Sequence, residues 1–149
     1  MTDATSSGLR IGILTVSDAC SRGERLDTSG EALEEWCSSE GHSPAFRGVV
    51  PDQTEAIVPI LASWADCGKV DVILTTGGTG FGPRDVTPEA TQAVLDREAN
   101  GLQEAIRRAG EAKTPFSALS RGRAGTRGSV FIVNLPGSPG GVQDGLAVL

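Results

Sequence analysis

The segment Thr75 to Glu89, TTGGTGFGPRDVTPE, gathers the residues best able to do chemistry. Gly77, Gly78, Gly80 and Gly82 permit backbone conformations closed to other residues and let N–H groups approach an anion. Such a loop can cradle a phosphate or pyrophosphate, and a tight structural turn uses glycine in the same way. It is not a Walker A loop, because no Gly-Lys-Ser/Thr follows, and it lacks the GxGxxG spacing of a dinucleotide site. Arg84 and Asp85 follow at once. The arginine offers a cation for phosphate charge and the aspartate a carboxylate for Mg²⁺ or for orienting a nucleophile, unless the two form a solvent-exposed surface pair.

Other candidates are weaker one by one. Asp52 follows Pro51 at the end of an apolar run and offers a second carboxylate, although an aspartate there also suits a turn. Ser17-Asp18, Ser120 and the stretch Asn134 to Pro139 could present hydroxyl, amide or backbone groups to a ligand. Each also has a capping or turn explanation.

The elements that must position these residues are legible as alternating patterns. Apolar runs at Ile11–Val16, Phe46–Val50, Val70–Leu74 and Ser129–Leu135 predict strands. Leu33, Trp36 and Cys37 predict a helix over 30–39, stopped by Gly41. Ile57, Ile60, Leu61 and Trp64 predict another, in which Pro59 fits a first-turn position or else a kink. Thr87-Pro88-Glu89 reads as a hydroxyl N-cap, a proline at N1 and a first-turn acid. That helix is expected to run to Glu98 with Ala90, Ala93 and Val94 on its buried face. A helix over Leu102–Ala109 and a short apolar segment at Phe116–Leu119 come next. Val142 to Leu149 begins a helix of only about two turns, and a C-terminal extension is expected to complete it. Trp36, Trp64, Phe46 and Phe131 lie on apolar faces and read as core.

Strands alternating with helices predict an α/β fold with a mainly parallel sheet, its ligands at the C-terminal ends of the strands. The 149 residues suit one domain, 1–149, with residues 1–8 a flexible tail. A net charge of −6 argues against nucleic acid as a partner but permits a small anion held by backbone N–H groups and local arginines. Cys20, Cys37, Cys67 and the single His42 match no zinc or CxxC spacing and read as reduced thiols with a lone imidazole. No apolar run is long enough to span a membrane and Met1–Gly8 has no signal-peptide core, so a soluble cytoplasmic protein is expected.

The chain resembles the MogA/MoaB family of molybdenum-cofactor biosynthesis proteins, which includes the gephyrin G domain. The resemblance rests on ILTVSDACSRG within Ile11–Gly23, VVPD at 49–52, LTTGGTGFGPRDVTPEAT at 74–91, the LSR around Ser120 and NLPGSP at 134–139. GGTG followed by PRDVTPEAT is specific, whereas a GGTG-like loop alone also occurs in MoeA- and CinA-type domains. The resemblance implies a three-layer sandwich and adenylylation of molybdopterin by MgATP, releasing pyrophosphate. It implies Asp52 and Asp85 as the essential carboxylates and Mg ligands, Gly77, Gly78, Thr79 and Gly80 as the phosphate loop, and Ser120 as a pterin contact. Ser17, Arg84, Asn134, Pro136, Gly137 and Ser138 would complete the substrate-binding set. A homotrimer and hand-over to a MoeA-type molybdenum insertase are further implications. The family commonly has NLPGNP where this chain has Ser138, which shortens the reach of that polar contact. A MoaB-type carrier that binds the pterin without adenylylating it is the alternative, and a scaffold role as in gephyrin is disfavoured because no second domain follows.

Overall fold

The strand patterns assemble into one six-stranded sheet in the order β2-β1-β3-β6-β5-β4. The computed structural model describes residues 8–149, so most of the tail expected at residues 1–8 lies outside the described residues. The strands are β1 Arg10–Val16, β2 Ser43–Val50, β3 Val72–Thr76, β4 Arg97–Glu98, β5 Ala124–Arg127 and β6 Val130–Leu135. The first three and β6 run parallel, whereas β5 is antiparallel to both its neighbours. The helices are α1 Asp18–Ser21, α2 Thr28–Ser39, α3 Thr54–Asp66, α4 Thr87–Val94, α5 Asn100–Glu111 and α6 Pro139–Leu146, with a 3-10 turn at Pro115–Leu119.

Side chains of a strand alternate between sheet faces, and that alternation divides the core in two. Ile11, Ile13, Leu74, Val133 and Leu135 face Leu33 and Cys37 of α2, Ile106 of α5 and Val142 and Leu146 of α6. Leu14, Val16, Ile73 and Ile132 face Ile57 and Leu61 of α3 and Ala90 and Val94 of α4. The result is the expected three-layer α/β sandwich. Among the described residues no helix is long and apolar enough to cross a membrane.

Several boundaries differ from the sequence expectation for local reasons. Strand β2 starts at Ser43 and contains Pro44, which its position at the sheet edge tolerates. Helix α3 starts at Thr54, so Pro59 lies beyond the first turn and inside the helix, where Glu55 C=O has no N–H to receive. Helix α4 ends at Val94, not Glu98, because Leu95 is extended and Arg97–Glu98 pair with β5 as an edge strand. Ala93 points to solvent, leaving Ala90 and Val94 as the buried pair. Val86 occupies the N-cap position expected of Thr87, whose hydroxyl instead donates to Gly77 C=O at 2.9 Å. Strand β5 has no apolar run to announce it. Its hairpin with β6 turns on Gly128-Ser129, with Gly128 at φ +58, as a two-residue turn beginning with glycine requires.

Asp27 anchors α2 to the sheet. It caps the helix by accepting from Gly30 N, accepts from the Thr15 hydroxyl and pairs with Arg47 at 2.8 Å. Burial opposes ionisation of its carboxyl, but Arg47, Thr15 and the Gly30 N–H outweigh it and hold the pKa below the usual carboxylate value. A depressed folded-state pKa stabilises the fold above the unfolded value of about 3.9, and that stabilisation is lost as pH falls through the lower folded value. Asp27→Asn keeps a capping oxygen but loses the charge. Urea unfolding should show it about 1 kcal/mol less stable than the parent at pH 7, with the gap closing as the pH is lowered below about 4.

Candidate functional site

Parallel pairing brings four strand ends to one edge of the sheet. Val16 of β1 is in register with Val50 of β2, Thr15 with Thr76 of β3, and Thr76 with Leu135 of β6. The residues that follow, 17–18, 51–52, 77–78 and 136–138, therefore converge. At that edge lies a cleft of about 510 Å³ that Asp52, Asp85, Ser17, Gly77, Gly78, Gly137 and Ser138 all line.

Two aspartates tie the first pair of strand ends together. Asp18 N–H donates to Asp52 Oδ2 at 2.8 Å, and Asp52 N–H donates to Asp18 Oδ1 at 2.9 Å. Arg84 then pairs with both Asp18 oxygens, through Nε at 3.0 Å and Nη2 at 2.9 Å. The Arg84 hydrogen bond, with the Asp52 N–H, holds the Asp18 carboxyl below its ordinary pKa. Asp52 is pushed the other way. Burial raises its pKa, and the like charges of Asp18 and Asp85 add to this against the Asp18 N–H and Arg84. Asp85 faces the same cleft, with Oδ2 accepting from Gly82 N–H at 2.9 Å.

The glycine loop is held open by conformations that side chains avoid. Gly77 (φ +102) passes so close to Val16 C=O that a Cβ would overlap it, and Gly78 (φ +70) packs against the Thr87 hydroxyl and Asp52 Oδ1. Farther along, Arg121 clamps the loop. Its guanidinium donates to Gly80 C=O at 2.8 Å and Asp85 C=O at 2.8 Å, and it pairs with Glu89. The arginine of the LSR triplet thus shapes the loop while the serine faces a separate space.

Ser120 belongs to a neighbouring groove of about 520 Å³, more apolar than the first, lined also by Thr79, Gly80, Phe81, Phe116, Leu119 and Pro136. Its hydroxyl lies 3.4 Å from Thr79 Oγ1. Ser138 lines both spaces and caps α6 by accepting from Gly141 N at 3.0 Å. Ser17 likewise caps α1 through Cys20 N–H. Among the sequence candidates, Asp18, Gly82, Arg84 and Asn134 line neither space. Arg84 is turned to Asp18, and Asn134 is 1% exposed with its amide bound to Thr75 and Thr91 and its Oδ1 to Arg123 N–H. The sequence reading names Asp18 only beside Ser17 and misses Arg121 and the cleft residues Arg25 and Asp27. The R of LSR was the signal available for Arg121.

Residues 12–149 match the family described as "Probable molybdopterin binding domain". The chain belongs to this family. Its fold superposes on the molybdopterin biosynthesis enzyme MoaB of Thermus thermophilus with a TM-score of 0.88 and 51% identity, covering 94% of this chain and 88% of that one. It is 39% identical over 140 residues to the molybdopterin adenylyltransferase of Escherichia coli K12, covering 93% of this chain and 72% of that protein. It is 41% identical over 137 residues to the molybdenum cofactor synthesis protein cinnamon of Drosophila melanogaster, covering 91% of this chain but spanning only 23% of that protein.

For a molybdopterin-binding domain the donor set of the cleft matters. Among the described residues no three His, Cys, Asp or Glu side chains cluster to cage a metal. Asp52 and Asp85 do offer hard oxygens in one cleft, and a cation there would offset the burial and, secondarily, the like charge that raise the Asp52 pKa. Two carboxylates completed by phosphate oxygens and water suit Mg²⁺. Gly78→Ala tests the loop geometry: forcing a Cβ into positive φ against Thr87 should destabilise the protein by about 2 kcal/mol or more, read from urea unfolding.

Proposed function

We propose that this molybdopterin-binding domain is a molybdopterin adenylyltransferase of molybdenum-cofactor biosynthesis. A terminal phosphate oxygen of molybdopterin attacks the α-phosphorus of ATP, the bond from that phosphorus to the bridging oxygen breaks, and pyrophosphate leaves. The carrying observation is the placement of Asp52 and Asp85 in one cleft beside the Gly77-Gly78 turn. The name of the Escherichia coli relative supports the same reading, and that of the Thermus thermophilus relative supports a place in molybdopterin biosynthesis.

Such a transfer brings two anions together, so it needs charge neutralisation and alignment more than a strong base. Magnesium held by Asp52 and Asp85 would supply the neutralisation. The protein's own part is positional. The Gly77-Gly78 turn approaches the phosphates closely, Asp18 fixes the Asp52 backbone, and Ser17 and Ser138 border the same space, while Thr79 and Gly80 continue the loop into the neighbouring groove. The apolar groove beside Ser120 receives the flat pterin, and Ser138 stands where the two spaces meet. We further infer a homotrimer in the cytoplasm that passes its product to a MoeA-type insertase.

Incubation with molybdopterin, ATP and Mg²⁺, following AMP transfer and pyrophosphate release, tests the reading directly. Pterin binding with no transfer would make the protein a carrier instead. Asp85→Asn and Asp52→Asn should each lower transfer by about 100-fold or more with the fold intact by circular dichroism. Asp52→Asn should leave pterin affinity within about threefold, well under one kcal/mol. Ser120→Ala should weaken molybdopterin binding by about 0.5 to 1.5 kcal/mol and leave MgATP binding unchanged. Separate titrations with the two ligands distinguish these effects.

A further inference from the structure

The cleft has an unmet need for a cation on its side chains. Asp52 and Asp85 both line it, and the one other carboxylate there, Asp27, is already matched by Arg47. Polyphosphate entering such a space adds further negative charge. The arginine that the sequence offers for this role, Arg84, is bound through two nitrogens to Asp18 and is not part of the cleft wall. The other basic side chains close to the two spaces are also committed: Arg121 to Glu89, Lys113 to Asp144 and Arg22 to Glu24.

Arg25 is different. It lines the cleft, is exposed, and among the described residues forms no ion pair and no side-chain hydrogen bond. It stands on the irregular segment between α1 and α2, which turns at Gly23 with φ +74. This wall is separate in the chain from the glycine loop, which carries Asp85, and from the strand end that carries Asp52.

We propose that Arg25 binds the β- and γ-phosphates of the nucleotide and so selects a nucleoside triphosphate and stabilises the departing pyrophosphate. This rests on the adenylyltransferase reading. The glycine loop and the two carboxylates surround the reacting phosphates, which leaves the wall carrying Arg25 for the part of the polyphosphate that extends beyond them. When the bond from the α-phosphorus to the bridging oxygen breaks, negative charge grows on the leaving pyrophosphate. A guanidinium meets that charge with paired N–H donors and with little competing attachment to the protein.

Isothermal titration of the full chain with MgATP, magnesium pyrophosphate and AMP tests this. Arg25→Ala should weaken MgATP and magnesium pyrophosphate about tenfold or more, and AMP by less than about threefold, since AMP lacks the groups that Arg25 binds. Arg25→Lys should recover part of the loss, because it restores the charge without the paired donors. Unchanged MgATP affinity in Arg25→Ala, an equal loss for AMP, or a larger loss from Arg84→Ala would each overturn the proposal. Failure of the function itself looks different. A parent protein that binds none of the three ligands overturns both readings, whereas one that shows the Arg25 pattern but transfers no AMP keeps Arg25 as a triphosphate contact and overturns the transferase together with the leaving-group role.

Discussion

Parallel pairing of β1, β2, β3 and β6 is the constraint from which the site follows. Parallel strands deliver their C-terminal ends to the same edge, and the register of Val16 with Val50 and of Thr76 with Leu135 makes those ends level. Residues distant in sequence then emerge within reach of one another. The reciprocal N–H to carboxylate bonds of Asp18 and Asp52 need that alignment, since a shift of one residue would turn each side chain to the opposite face.

Buried polar groups hold the edge rigid. Thr76 donates to Pro136 C=O at 2.6 Å, Ser29 to Gly137 C=O at 2.6 Å, and Thr87 to Gly77 C=O at 2.9 Å. Asn134 links β6 to Thr75 on β3 and Thr91 on α4, while Gln103 from α5 donates to Asn134 C=O and Arg123 C=O. Satisfied polar networks of this kind specify one arrangement, because any slip leaves a buried donor or acceptor without a partner. The loops at the strand ends thereby inherit the order of the sheet beneath them.

Charge in the cleft is set by the same framework. Arg84 neutralises Asp18, and Arg47 neutralises Asp27, so the carboxylates left to act on a ligand are Asp52 and Asp85. Burial and like charge raise the Asp52 pKa, which is the condition a bound cation would reverse. An acidic protein can host anionic chemistry in this way. On the proposed reading, backbone N–H groups, a metal ion and the Arg25 guanidinium would supply locally what the net charge of −6 does not.

The alternation of apolar runs with helical periodicity is enough to read an α/β fold, and the glycines with Arg84-Asp85 and Pro51-Asp52 are enough to nominate the carboxylates. Composition and spacing are local, and local rules decide which face of an element is buried. They do not decide partners. Strand β5, AGTR, is invisible to them because its small residues carry no alternating pattern and it exists by pairing with β4 and β6. Arg84 looks like a phosphate cation because nothing in the sequence shows that Asp18, 66 residues away, engages it through two nitrogens. Asn134 looks like a pocket residue for the same reason. The four parallel strands, most of the helices, the acidic pair and the glycine turn are thus written in the chain itself. Which charges are cancelled and which face the cleft is settled in three dimensions, because cancellation depends on contacts between strand ends that only sheet pairing brings together.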